Sequence, residues 1–206
     1  MYPVTVHIAP ALAHRNRLTT AFRLILAIPH VILVGGVGLG FASSGDSRTT
    51  VGSEGGLLGA VAVFLAIVSW FTIVIAGAHI VGIRQFTAFY LRWRVRATSY
   101  LMLLEDAYPP FGDAPYSASI AITDPPTRRR LTVLVRLILA IPHVFVVAFL
   151  LLAWGVTTIV AWFSILFTAT YPQGLYEFGV GVLRWRLRVE AYLLLMVDEY
   201  PPFALT

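Results

Sequence analysis

The chain has 206 residues, of which 58% are hydrophobic and 12% charged, and its mean hydropathy is +0.81. A soluble domain carries about 25% charged residues, so this chain has too little polar surface to coat a water-soluble particle, and its composition points to a membrane. Absence of cysteine excludes disulfides and thiolate metal sites, and the net charge of +5 rests on fifteen arginines and no lysine.

In chain order, the N-terminal stretch MYPVTVHIAPALAHRNR lacks the apolar run of a cleavable leader, and Val4–Ile8 has the residue types of a short strand. Thr20–Phe41 and Leu57–Ile83 are each apolar for long enough to cross about 30 Å of hydrocarbon. Between them lies the Gly/Ser-rich stretch GGVGLGFASSGDSRTTVGSEGG, Gly35–Gly56. Phe86–Asp106 follows, with RWRVR inside it and Y-P-P-F after it. Three arginines at mid-bilayer would each cost roughly 2.5–3.5 kcal/mol, so this segment is expected at the membrane interface. Its length favours an amphipathic helix, although R-W-R-V-R also alternates like a strand, and the proline pair ends it.

The order then repeats. RLILAIPHV stands at Arg23–Val31 and again at Arg136–Val144. Arg92-Trp93-Arg94-Val95-Arg96 matches Arg184-Trp185-Arg186-Leu187-Arg188, and Asp106 with Tyr108–Phe111 matches Asp198 with Tyr200–Phe203. The first match is offset by 113 residues and the later ones by 92, so the first copy carries 21 extra residues, placed in the Gly/Ser-rich stretch. Such self-similarity means one structural unit used twice, here 1–113 and 114–206. Ser117–Thr123 is a second candidate strand and a candidate partner for the first. Thr132–Thr168 is apolar almost throughout and too long for one span, so it is read as two helices joined by a turn near Ala153-Trp154-Gly155. Leu175–Asp198 is the second interfacial segment.

The expected fold is therefore an all-α integral membrane protein. It has four transmembrane helices in two parallel repeats, each with two spans and one amphipathic interfacial helix, and possible short cytoplasmic strands. Arginines flank the spans on one side, with Arg48 alone in a loop on the other, so the positive-inside rule places both termini in the cytoplasm. The repeated units would be related by an axis along the membrane normal.

The duplicated R-L-I-L-A-I-P-H, the R-W-x-x-R-V-x-A-Y-L core of Arg184–Leu193 and the terminal Y-P-P-F resemble an actinobacterial membrane family, domain-of-unknown-function family 4389. The resemblance runs from about Tyr2 to Phe203. Thr98-Ser99 in the first copy replaces Glu190-Ala191, and the Gly/Ser-rich loop is added. The resemblance implies a bacterial membrane protein and transfers no catalytic residue.

Two residue groups invite a function. Arg23 and His30 share one helix face at i,i+7, as do Arg136 and His143, inside apolar spans where polar groups face protein or water. They suit a structural contact between the two copies of RLILAIPHV, each His satisfying carbonyls freed by Pro29 or Pro142. They also suit a polar path or a paired-histidine haem. Arg92, Arg94, Arg96, Arg184, Arg186 and Arg188 suit anionic phospholipid headgroups, because guanidinium binds phosphate bidentately. The chain shows no nucleophile elbow, zincin motif or phosphate loop, and no nucleic-acid motif. The expected function is a non-enzymatic membrane subunit in the bacterial cytoplasmic membrane, without metal or cofactor. Other membrane subunits or further copies of the chain are the expected partners. The alternatives are a small oligomeric transporter or channel, or a haem-bearing anchor.

Overall fold

The computed structural model describes residues 2–39, 55–123 and 130–206. Arg48, Arg128, Arg129 and most of the Gly/Ser-rich stretch lie outside the described residues. The described chain is mostly helical: α1 Arg17–Ala21, α2 Arg23–Val34, α3 Gly56–Ala76, α4 Val81–Leu101, α5 Arg130–Thr168 and α6 Gln173–Leu193. The two candidate strands pair antiparallel as β1 Val4–Ile8 and β2 Ala118–Ile122, with Val6 opposite Ile120. Both put their hydrophobic residues inward on alternate positions.

The four-span expectation is corrected. Among the described residues two helices, not four, are long and apolar enough to cross a membrane, within α3 and α5. The turn expected near Ala153-Trp154-Gly155 is absent, and α5 runs unbroken for 39 residues, Pro142 included. The physical reason is phase. Val133, Arg136, Ala140, His143, Val147, Trp154, Ala161 and Ile165 are all buried, and their three-and-four spacing holds from end to end, so one helix face stays in register. A hairpin at Trp154 would have broken that register.

The same rod exists in the first unit, interrupted. Asn16 caps its start, accepting from the backbone N–H of Leu18 and Thr19. Only Phe22 separates α1 from α2. The end of α2 then meets the start of α3: a Cβ on Gly56 would lie 2.5 Å from the Gly35 nitrogen and 2.7 Å from the Leu33 carbonyl oxygen. The 21 extra residues thus leave and re-enter one helical line. Val34 matches Val147 by the first offset and Gly56 matches Ala148 by the second, and these are neighbours inside α5. Gly56 also has φ +65°, which only glycine adopts without strain. Gly56→Ala is expected to lower the thermal midpoint in detergent, by the equivalent of about 2 kcal/mol or more. Gly82→Ala, with open space around its Cβ, is the control and should change little.

The two rods run antiparallel. Trp162 Nε1 donates to the Thr20 carbonyl at 2.9 Å and Trp70 Nε1 to the Val133 carbonyl at 3.2 Å, so the start of each rod meets the end of the other. Trp70 matches Trp162, and Thr20 matches Val133, under the repeat offsets. α4 and α6 pack under the rods and against each other, and the β1–β2 pair covers α4 and α6 from the far side. The outer face of the rods is apolar and exposed, from Leu18 to Ile75 on one and Leu134 to Phe167 on the other.

Candidate functional site

The RWRVR and RWRLR segments are helical, inside α4 and α6. After each helix the chain turns through a left-handed leucine, Leu103 at φ 63° and Leu195 at φ 62°. Such a conformation costs of order 1–3 kcal/mol for a non-glycine residue and persists only where its surroundings enforce it. Here it sends Asp106 and Tyr108–Phe111 in one unit, and Asp198 and Tyr200–Phe203 in the other, back along the rod.

There the repeated line receives them. Arg23, 1% exposed, donates from Nη1 to the carbonyls of Tyr100 (3.0 Å) and Glu105, and from Nη2 to Asp106 Oδ1 at 2.8 Å. Its guanidinium lies 4.2 Å over the Tyr100 ring. Arg136 repeats this with the Tyr192 carbonyl (2.7 Å), Asp198 Oδ1 (2.8 Å) and the Tyr192 ring (4.4 Å). Two turns further along the same helix face, Trp93 Nε1 donates to His30 Nδ1 at 3.0 Å, and Phe111 stacks on the imidazole at 4.6 Å. Trp185 donates to His143 Nδ1 at 3.1 Å, and Phe203 stacks at 4.0 Å. Indole N–H is a donor only, so each histidine accepts at Nδ1 and carries its proton on Nε2.

This corrects the expected role of the histidines. α2 and α5 do not pack together, so the two copies of RLILAIPHV do not meet. Each grips the α4 or α6 and the Y-P-P-F of its own unit, and the two aromatic cages share no residue. The histidine satisfies a tryptophan rather than a carbonyl freed by proline.

The arginines expected at lipid headgroups are spent inside the protein. Arg94 and Arg186 are fully buried where α4 crosses α6. Arg94 Nε lies 2.9 Å from Glu190 Oε1 and donates to Oε2 at 3.0 Å, Tyr90 OH donates to Oε1 at 3.2 Å, and Arg186 Nη2 is 3.5 Å from Oε2. Arg186 also donates to Thr98 Oγ1 at 3.3 Å, and both arginines donate to the Gly38 carbonyl. Gly38 belongs to the inserted stretch, so the insertion feeds the centre of the protein. No headgroup reaches these two guanidiniums without unpacking the helices. Arg96, 6% exposed, donates to the Gly112 carbonyl and to Asp113. Arg92 makes a bidentate pair with Asp113, Nε to Oδ1 at 2.9 Å and Nη2 to Oδ2 at 2.8 Å. Arg184 donates to the Val6 carbonyl, and Arg188 lies 5.8 Å over the Tyr2 ring. These four lie on the side of α4 and α6 away from the rods' apolar face.

Glu190 and Tyr90 carry the central network and were not among the expected site residues. Two signals bore on Glu190. It stands four residues after Arg186, and it replaces Thr98 at the matched position of the other unit. Neither could reveal that Arg94, from the other helix, is the closer partner.

The Arg92 hydrogen bonds, with the Arg96 charge behind them, hold the Asp113 carboxyl below the usual carboxylate range. A carboxyl lowered in the folded state contributes stability above its unfolded pKa and loses it as pH falls through the folded one. Asp113 is 46% exposed, so screening limits the effect. Asp113→Asn should cost well under about 1 kcal/mol at pH 7 and flatten the acid side of a melting profile between pH 5 and 3. An unchanged acid limb would show that the pair contributes nothing.

Two grooves of about 430 and 340 Å3 open between the rods and the ends of α6 and α4. One is lined by Arg136, Leu137, Trp70, Phe71, Leu193 and Leu195, the other by the matched Arg23, Leu24, Trp162, Phe163, Leu101 and Leu103. Among the described residues no cluster of three histidine or carboxylate side chains could hold a metal ion.

A family model described as domain of unknown function (DUF4389) matches residues 55–112 and 130–204. Each matched stretch includes one R-W-R segment and one Y-P-P-F. No curated protein and no solved structure matches the chain.

Proposed function

The chain belongs to the DUF4389 family, and from that premise we propose that it is a non-enzymatic subunit of the bacterial cytoplasmic membrane that stabilises or assembles a larger membrane complex. In this reading 1–113 and 114–206 are two copies of one unit, and both termini face the cytoplasm. The observation that carries it is the use of the polar residues. Arg23, His30, Arg136 and His143 are buried and held by partners of their own unit, as a rigid frame requires, while the rods offer an uncharged apolar face to lipid or to other subunits. Anionic phospholipid contact belongs to the same proposal, and its weight moves from Arg94 and Arg186 to the exposed Arg17 at a rod end.

Affinity purification from native membranes tests the assignment. A stable heteromeric partner whose abundance falls when this chain is deleted is the expected result. A homo-oligomer that passes ions or solutes in liposomes would instead make it a channel. Soret absorbance in the purified protein would make it a haem anchor.

A further inference from the structure

We infer that the protein lies flat in one face of the bilayer, with both rods parallel to the membrane plane, their apolar face immersed, and α4, α6 and the β1–β2 pair on the aqueous side. This rests on the membrane role proposed above and adds the orientation.

Length is the first argument. At 1.5 Å per residue the 39 residues of α5 extend about 58 Å, against about 30 Å of hydrocarbon. Exposed apolar side chains continue over nearly all of that length, from Leu134 to Phe167, and no charged residue follows Arg136 within the helix. Stood upright, α5 would hold almost half of these side chains in water. Laid flat, it immerses all of them.

Symmetry is the second. The rods are antiparallel, with Arg17 Nη2 donating to the Phe167 carbonyl at the far end of the other rod. Upright rods would put the arginine-bearing starts at Arg17 and Arg130 on opposite sides of the membrane, against the positive-inside bias. Flat rods let the arginines of both rod starts and of α4 and α6 lie on one side, and the axis relating the units then lies along the membrane normal.

The third is what sits level with the rod midpoints. Arg186 reaches Gly38 at the break in the first rod, and Arg184, two residues away, reaches β1 at Val6. Upright, the β1–β2 pair and the half-exposed Arg92–Asp113 pair would face lipid at mid-bilayer depth. Open strand edges and exposed charges are not tolerated there. Flat, they face water. The two apolar grooves, lined by exposed Leu137 and Phe71 in one and Leu24 and Phe163 in the other, then open into hydrocarbon, where acyl chains fill them.

The cysteine-free sequence allows a direct test. Ile138→Cys, Phe149→Cys and Phe167→Cys lie on one exposed face of α5, at its start, middle and end. Each is nitroxide-labelled, with Thr5→Cys on β1 as the aqueous control. The proteins are reconstituted in phosphatidylglycerol–phosphatidylethanolamine vesicles, and depth is read from oxygen against nickel-chelate accessibility. A flat rod gives three similar depths, about 5–10 Å below the headgroups, with Thr5→Cys in water. An upright rod gives a deep Phe149→Cys and two shallow ends reached from opposite sides, and this overturns the orientation while leaving the membrane role. Strong spin–spin coupling between copies, with no lipid contact at any position, assigns the face to a second copy and also overturns it. Failure of the protein to float with the vesicles removes the membrane role itself.

Discussion

Replacing Glu190 with alanine lowers the stability of the detergent-solubilised protein by about 3–5 kcal/mol. That is the range for removing one member of a buried ion pair. Glu190 is the carboxylate between Arg94 and Arg186, all three fully buried. Without it the two guanidiniums at the α4–α6 crossing lose the carboxylate that lies between them. Much of the loss is the desolvation of charges left behind, so the companion variant matters. Arg94→Met combined with Glu190→Leu removes the closer pair together while Arg186 keeps its Thr98 and Gly38 acceptors, and it should recover part of the lost stability. Glu190→Thr, which installs the residue of the matched position Thr98, keeps a hydroxyl but no charge and should fall near the alanine variant. Tryptophan fluorescence during thermal or denaturant unfolding reads all three. A Glu190→Ala protein within about 0.5 kcal/mol of wild type would show that the carboxylate does not hold the crossing together.

The second large effect is expected at the clasps. Arg23→Leu removes the guanidinium from the carbonyls of Tyr100 and Glu105 and from Asp106, which keeps the Asn16 N–H and the more distant Arg15, and should cost about 3 kcal/mol. His30→Leu strands the buried Trp93 indole N–H and removes the stacking partner of Phe111, for about 1–3 kcal/mol. The pattern of coupling is sharper than either size. Arg23 and His30 both hold the segment that follows α4, so their double variant should be less damaging than the sum. His30 and His143 share no partner, so theirs should add within about 0.5 kcal/mol. Coupling between the two histidines above about 1 kcal/mol, with none inside a clasp, would mean that the repeated lines act on each other after all.

The helical class and the apolar composition were legible in the sequence, because each depends on local composition or length, whereas the R-W-R segments, whose length suits a helix and whose alternation suits a strand, were decided only by the structure. The pairing of Val4–Ile8 with the second strand was legible as a possibility. The span count was not. An apolar run of 37 residues suits a hairpin as well as one long rod, and only its packing against α6 fixes which residues stay on one face. In hindsight the three-and-four spacing from Val133 to Ile165 held that answer, but a run apolar on every side hides its own stripe.

Arginine placement divides the same way. The sequence by itself determined that arginine and histidine recur at fixed places inside apolar helices, and that each copy ends in Asp and Y-P-P-F. It determined this because a duplicated unit leaves its matches in the chain regardless of how it folds. Only the tertiary structure decided what those residues touch. Arg23 meets Asp106 from 83 positions away, and Arg94 meets Glu190 from 96. Arg92 and Arg94 stand two residues apart in one helix, yet one is half exposed and the other fully buried. A helix turns about 200° over two residues, and which side of it faces a neighbour depends on contacts that no local pattern contains.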